Sequence, residues 1–296
     1  MGIWRRWRQL REATGIALLC DRNTDRLFRE RVEATLRDAR PFARASFPAG
    51  EPNKTLATAG SLLELLAKAR LDRGCVIAAV GGGVVTDVAG FVASVYLRGV
   101  RWVAVPTTLL GMVDAAIGGK TGVDLRAGKN LAGSFHPPAA VVADLATLDT
   151  LPPRERAGGL AEVVKIAIAA DPQLFEELER GGKKWVSRPA RELESVIARA
   201  IEAKARLVEA DERDSGPRLA LNLGHTTGHA LEAATKYQRF HHGEAVAIGI
   251  RVACELARAR ESWERGTWRG SRSASPRSRS RSRGPPTSSP SRSGDS

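Results

Sequence analysis

Residues 75–97 (CVIAAVGGGVVTDVAGFVASVYL) form a twenty-three-residue run with a single charge, Asp87. A run of that length and character must be either a membrane span or the buried centre of a globular chain. Gly81-Gly82-Gly83, Thr86 and Asp87 stand near its middle, where a bilayer would tolerate them worst. A buried strand (76–80), a glycine turn and a buried helix (86–95) satisfy every residue, so the run is read as globular.

The neighbouring segments repeat that strand-and-helix grammar. Short apolar runs at 16–20, 43–47, 102–105 and 141–143 read as strands, the first ending at Asp21 and the third at Pro106. Helical spacing runs through 24–39 and 56–69, with residues 51–54 as a loop. Strands alternating with helices predict a parallel α/β sheet. Beyond Pro152-Pro153 the strand signals stop, and 159–170, 172–180, 188–210 and 225–234 read as helices. Asp171 before Pro172 is a cap followed by a first-turn proline. The expected plan is a Rossmann-like α/β domain at 1–150, an α-helical domain at 151–260 and a disordered tail at 261–296. A cleft between two such domains is a common small-molecule site.

Composition narrows the class. The 296 residues are 43% apolar, enough for a core. Cys20, Cys75 and Cys254 are odd in number and far apart, which excludes a disulfide framework or a cysteine zinc motif. The N-terminal MGIWRRWR holds no signal-peptide core, so a cytoplasmic protein is expected. Over half of the net charge of +13 comes from residues 258–296, where ten arginines face three carboxylates. The basic balance is therefore a tail property and says little about partners of the folded body. Residues 271–296 contain no Leu, Ile, Val or Phe and cannot bury a core. Arg-Ser tracts can bind RNA; this one reads as a nonspecific basic tail or an out-of-frame read, and nucleic acid is not an expected partner.

Three constellations carry chemistry. The glycine triplet between a strand and a helix brings backbone amides to a helix N-terminus, which suits phosphate; a plain tight turn is the bland reading. Four of the five histidines, His225, His229, His241 and His242, fall within eighteen residues. His225 and His229 share a helical face. With Glu162, a charge in an apolar helix, two of them would give a metal site with an open position. Spacing does not say which two. Finally, Asp114, Lys120, Lys129 and Asn130 punctuate a glycine-rich stretch, with Lys165 three residues after Glu162 and Arg218 and Asn222 just before His225. Cations at this density suit an anionic substrate, with solvated loop charges as the bland alternative.

In this order the strings GGGVVTDVAGFVAS (81–94), RGVRWVAVPTTLLGMVDAAIGGKTGVD (98–124), GKNLAGSFHPP (128–138), GLAEVVK (159–165), LNLGHTTGHALE (221–232) and HGEAVAIG (242–249) resemble the 3-dehydroquinate synthases, of the sugar-phosphate cyclase superfamily. The resemblance runs from about residue 12 to about 258. It implies Glu162, His225 and His242 as metal ligands, for zinc or cobalt, with His229 beside them or on the substrate. It implies NAD contacts from Asp21, Asn23, Glu51 and Lys54, from Gly82, Gly83 and Asp87 at the glycine turn, and from Thr107 and Thr108; Asp114 and Lys129 lie where cofactor and substrate meet. Substrate contacts are implied for Arg98, Lys120 and Asn130, for Lys165 and Lys204, and for Arg218 and Asn222. The implied reaction turns 3-deoxy-arabino-heptulosonate 7-phosphate, a phosphorylated keto-sugar acid, into 3-dehydroquinate and phosphate in the shikimate pathway of aromatic amino acid biosynthesis. A homodimer is implied, and no membrane partner.

The chain departs from the family at its end. Family members continue with further helices and a late lysine, whereas no lysine follows Lys236 here. Weakened stability and low or no activity are therefore expected, with apolar faces exposed around Val246, Ile248, Ile250 and Val252. The alternatives are another cyclase, such as a 2-deoxy-scyllo-inosose synthase, and, in a different class, a non-catalytic relic whose tail binds nucleic acid.

Overall fold

The computed structural model describes residues 12–36 and 42–260. The expectations for the extreme N-terminus and for the tail at 261–296 lie outside the described residues. Five parallel strands form one sheet in the order β2-β1-β3-β4-β7: β1 (Ile16–Asp21), β2 (Phe42–Phe47), β3 (Val76–Gly81), β4 (Arg101–Pro106) and β7 (Ala140–Val141). Every residue of β3 is buried, because helices cover both faces of the sheet. On one face α2 (Leu56–Lys68) and α3 (Gly83–Val95) close over Leu19, Ile77, Ala79 and Trp102. On the other, α1 (Arg22–Leu36) brings Val32 and Phe28 against Leu18, Val80 and Val105.

The expected helix from residue 24 begins two residues earlier, where the Asp21 carboxylate accepts from the Thr24 amide at 2.8 Å. The helix expected from 86 begins at Gly83, so the glycine turn is itself the start of α3. The strand expected at 141–143 pairs only through Ala140 and Val141, since Asp144 already caps the 3-10 turn that follows.

Residues 112–132, read from sequence as a glycine-rich stretch between two strands, are ordered twice over. A single π-helical turn, Gly111–Ala115, sends Met112 and Val113 into the second core and leaves Asp114 at the cavity. An antiparallel hairpin of β5 (Lys120–Leu125) and β6 (Gly128–Phe135) then packs on α3.

The second part is helical: α4 (Pro153–Ala170), α5 (Pro172–Gly181), α6 (Lys184–Ser187), α7 (Glu194–Ala210), α8 (His225–Ala234) and α9 (His242–Ala259). Its core gathers Leu148, Val163, Ile166, Leu174, Trp185, Leu193 and Val196. α4 begins at Pro153 rather than 159, with the proline at the first turn. α7 begins six residues later than expected, because Pro189 holds Arg188 extended. α9 crosses α4 and α8 at backbone contact: a Cβ on Gly243 would lie 2.2 Å from the Gly158 carbonyl oxygen. Ile248, Val252 and Leu256 on α9 are exposed, while Val246 and Ile250 are buried. That corrects half of the expected exposed face: α8 and α4 cover the inner row. No helix among the described residues is long and apolar enough to cross a membrane.

Candidate functional site

The carboxyl ends of β1, β3 and β4 open into a cavity of about 1440 Å³ whose far wall is the helical part. Such ends are where open parallel sheets place ligands. That volume exceeds the roughly 300–1,000 Å³ of ordinary ligand pockets, leaving room for two ligands side by side.

At the sheet side, Gly81 ends β3 and Gly82 caps α3 with an extended backbone and no side chain. A Cβ on Gly82 would meet the Thr108 methyl at 3.0 Å, so only glycine lets the helix start come this close. The Thr107 amide donates to Gly81 O, and the Thr108 hydroxyl accepts from the Gly111 amide, which pins both threonines beside the turn. One turn into α3, Asp87 receives Lys54 Nζ at 2.6 Å; the same ammonium donates to Asn130 Oδ1. Burial pushes the Asp87 carboxyl up to about 6 against the pull of Lys54, with Glu51 and Asp114 adding to the rise. Lys54 itself stays cationic: burial opposes its charge, but Asp87 and Glu51 outweigh it. Asp21 and Asn23 line the same rim.

At the helical side, His225 opens α8, His242 opens α9 and Glu162 lies in α4 with no exposure. One donor atom from each lies within 4.8 Å of the others. The histidine rings sit 5.2 Å apart, and His242 Nε2 is 3.6 Å from Glu162 Oε1. Neither Glu162 oxygen takes a hydrogen bond, although Lys165 Nζ lies 2.5 Å from Oε2 as an ion pair. A buried carboxylate with one oxygen toward Lys165 and the other toward His242, beside a second imidazole, is a donor set that fits a metal ion. His225 Nδ1 rests 3.3 Å from Leu223 O, and burial, with Lys165 and His242 nearby, lowers its pKa to about 4, so it is a neutral donor at pH 7. His229 lies outside that trio but forms a second one with Glu232 and His242.

Between the two sides lies a cluster of buried charges. Lys204 donates to the Asp114 carbonyl at 2.6 Å and to its carboxylate, and Lys165 stands 3.7 Å from the same carboxylate. Burial opposes the Asp114 anion, yet Lys165 and Lys204 hold its carboxyl well below the usual range. Burial and the like charge of Lys165 lower Lys204. Arg218 donates to Glu212 O and Gly118 O, clamping the loop before α8 to the hairpin. Lys120 pairs with Asp214, and Asn222 lines the cavity beside them.

Of the residues singled out from sequence, all but Glu162, Arg98 and His241 line this one cavity; Glu162 lies just behind its wall against His242, and His241 pairs with Glu155. Arg98 does not join them. It is exposed in the 3-10 turn Tyr96–Arg98 that precedes β4, with the whole six-residue strand, about 20 Å when extended, between it and the end that faces the cavity. Glu232 and Asp214 were missed. Glu232 had a signal, since it falls on the His225–His229 face of α8; Asp214, a loop residue with left-handed backbone, had none.

The chain matches the family model for the N-terminal part of 3-dehydroquinate synthase over residues 44–158, and the model for its C-terminal part over 159–277, past the end of the motifs. The 3-dehydroquinate synthase of Symbiobacterium thermophilum is 49% identical over 85% of this chain and 70% of its own length. Among solved structures, a 2-deoxy-scyllo-inosose synthase complexed with carbaglucose-6-phosphate, NAD+ and Co2+ superposes with TM-score 0.81 at 30% identity, covering 86% of this chain and 71% of that one. A 2-epi-5-epi-valiolone synthase from Streptomyces hygroscopicus subsp. jinggangensis with NAD+ and Zn2+ gives 0.80 at 30% identity, over 88% and 73%.

Proposed function

This chain belongs to the 3-dehydroquinate synthase family, and we propose that it converts 3-deoxy-arabino-heptulosonate 7-phosphate into 3-dehydroquinate and phosphate as a carbon–oxygen lyase using NAD and a divalent metal ion. The observation that carries this reading is one cavity lined by a side-chain-free helix N-terminus and a cluster of lysines, with a buried Glu-His-His donor set at its wall.

Glu162, His225 and His242 would hold the metal ion; three nitrogen and oxygen donors with an open position suit zinc and cobalt alike. Gly82, Gly83, Asp87, Lys54, Thr107 and Thr108 would hold NAD, with the pyrophosphate at the start of α3. When bound, these two groups supply hydride removal and return and the acidification of a substrate hydroxyl. The chain's own residues do the rest. Lys120, Arg218 and Asn222 bind the substrate's anionic groups, and Lys120 exchanges its Asp214 partner for them. Lys165 and Lys204, fixed by Asp114, present fixed positive charge that needs no reorganisation during reaction. Asn130, oriented by Lys54, and His229 at the mouth position the sugar. A homodimer and a cytoplasmic setting follow from the family resemblance.

Another cyclase is the second reading, favoured by the structural likeness to 2-deoxy-scyllo-inosose synthase. The higher identity to 3-dehydroquinate synthase, 49% against 30%, decides for the first. The test is phosphate release from the seven-carbon acid phosphate, with NAD and zinc present, beside a hexose 6-phosphate that lacks the carboxylate. Slow release from the acid substrate alone is expected. Release from the hexose alone would make the chain another cyclase, and no release from protein that binds NAD and zinc would overturn the proposal.

A further inference from the structure

Glu232 has no role in the reading above, yet it is the other carboxylate buried against the histidines, 2% exposed. It lies on α8 seven residues after His225, two turns along the same face. Its Oε2 is 3.2 Å from His242 Nδ1, and its Oε1 is 3.2 Å from Lys129 Nζ. Lys129 in turn reaches Glu51 Oε1 at 3.0 Å and lies 4.4 Å over the Tyr237 ring. The His242 ring is thus gripped at one nitrogen while the other, Nε2, faces Glu162. A neutral imidazole that donates from Nδ1 carries its lone pair on Nε2, the state a metal ligand needs.

We propose that Glu232 is a positioning residue for the metal: it fixes the tautomer and ring orientation of His242, and Lys129 holds Glu232 from across the cavity. The proposal rests on the assignment of Glu162, His225 and His242 as ligands. Glu232, His229 and His242 could themselves gather around an ion, since their donor atoms also lie within 4.8 Å. Glu232 Oε2 instead stands 3.2 Å from His242 Nδ1, the distance of a hydrogen-bond acceptor on that ring, which favours the positioning role.

The test is zinc affinity by chelator competition, with the visible absorption spectrum of the cobalt-loaded chain as the coordination signature. Glu232→Ala should weaken zinc about 10–100-fold, the usual cost of losing such an outer partner, and should alter the cobalt spectrum. Glu232→Gln keeps an oxygen that accepts from Nδ1 and should stay close to the parent in both. Lys129→Met should weaken zinc less, and should add nothing to Glu232→Ala if it acts through Glu232. Should the alanine variant fail to fold, Glu232→Met keeps the bulk without the acceptor and should show the same loss. His225→Ala is the reference and should abolish binding with NAD affinity kept; if it retains zinc, the ligand assignment itself fails. If His225→Ala loses zinc and Glu232→Ala does not, the ligands stand and the positioning role is overturned. Two zinc ions per chain, falling to one in Glu232→Ala, would make Glu232 a ligand and overturn it as well.

Discussion

Lys54 and Asp87 show how one ion pair can set the pH range of a binding site. The ammonium is buried and shared between Asp87 and Asn130, so it keeps its charge throughout the ordinary range. The carboxyl is the partner that yields, with its pKa raised to about 6. Because that lies above the ordinary carboxylate value, ionising Asp87 costs the fold: stability present below about pH 4 is lost as pH rises through 6. Urea unfolding of the ligand-free chain should show that loss, and Asp87→Asn should remove it. NAD binding should run the other way, since the anion is the better hydrogen-bond acceptor. Calorimetric NAD affinity should fall as pH drops below 6 in the parent and be weak and flat in Asp87→Asn. A parent affinity unchanged between pH 5 and 7.5 would remove Asp87 from the cofactor contact.

At the scale of elements, the proposed metal donors are brought together by a helix crossing that only glycine allows. Gly243 follows His242, and its missing side chain lets α9 touch the backbone of α4 at Gly158. Gly243→Ala would force the helices apart and carry His242 away from Glu162, at a cost of about 1–3 kcal/mol. Lower thermal stability and weaker zinc binding are both expected. Gly60→Ala, inside α2 with nothing within 4 Å of the added carbon, is the matched control and should be neutral or slightly stabilising. Equal behaviour of the two variants would show that the crossing does not set the site. None of this packing is visible in the chain as a string: HGEAVAIG gives a helix start, but not which helix lies against Gly243. The hairpin of β5 and β6 was hidden for a related reason. Gly118, Gly119, Gly122, Gly128 and Gly133 break any period-two pattern, and the pairing becomes legible only when α3 supplies the face on which it packs. By contrast β3, the glycine turn and α3 were plain, because burial on all sides writes itself as an uninterrupted apolar run. His225 and His229 were legible as one face, yet the proposed ligand pair is His225 with His242, which come together because of where α9 begins and not by spacing.

At the scale of the molecule, the cavity is the seam between two cores. One is built on the sheet, the other on α4 and α7, and the π-turn after β4 belongs to the second core while its Asp114 faces the seam. The seam carries buried charge: Lys165 and Lys204 pair with Asp114, Lys165 with Glu162, and Lys129 with Glu232. Groups paired this way contribute little net stability on their own, so ligands that bridge the seam should add to the coupling between the halves that the π-turn's Met112 and Val113 already provide. Any ligand bound only by the folded state stabilises it by mass action, by about 2.7 kcal/mol at a hundred times its Kd. For a folded body of this size that corresponds to a rise in Tm of roughly 5–10 °C. NAD and zinc should each produce such a rise in a thermal scan. Asp87→Ala should lose the NAD shift and keep the zinc shift, and His225→Ala should do the reverse. If each variant lost both shifts, the two sites would be one cooperative unit, and the separate placement of cofactor at the sheet and metal at the helices would have to be given up.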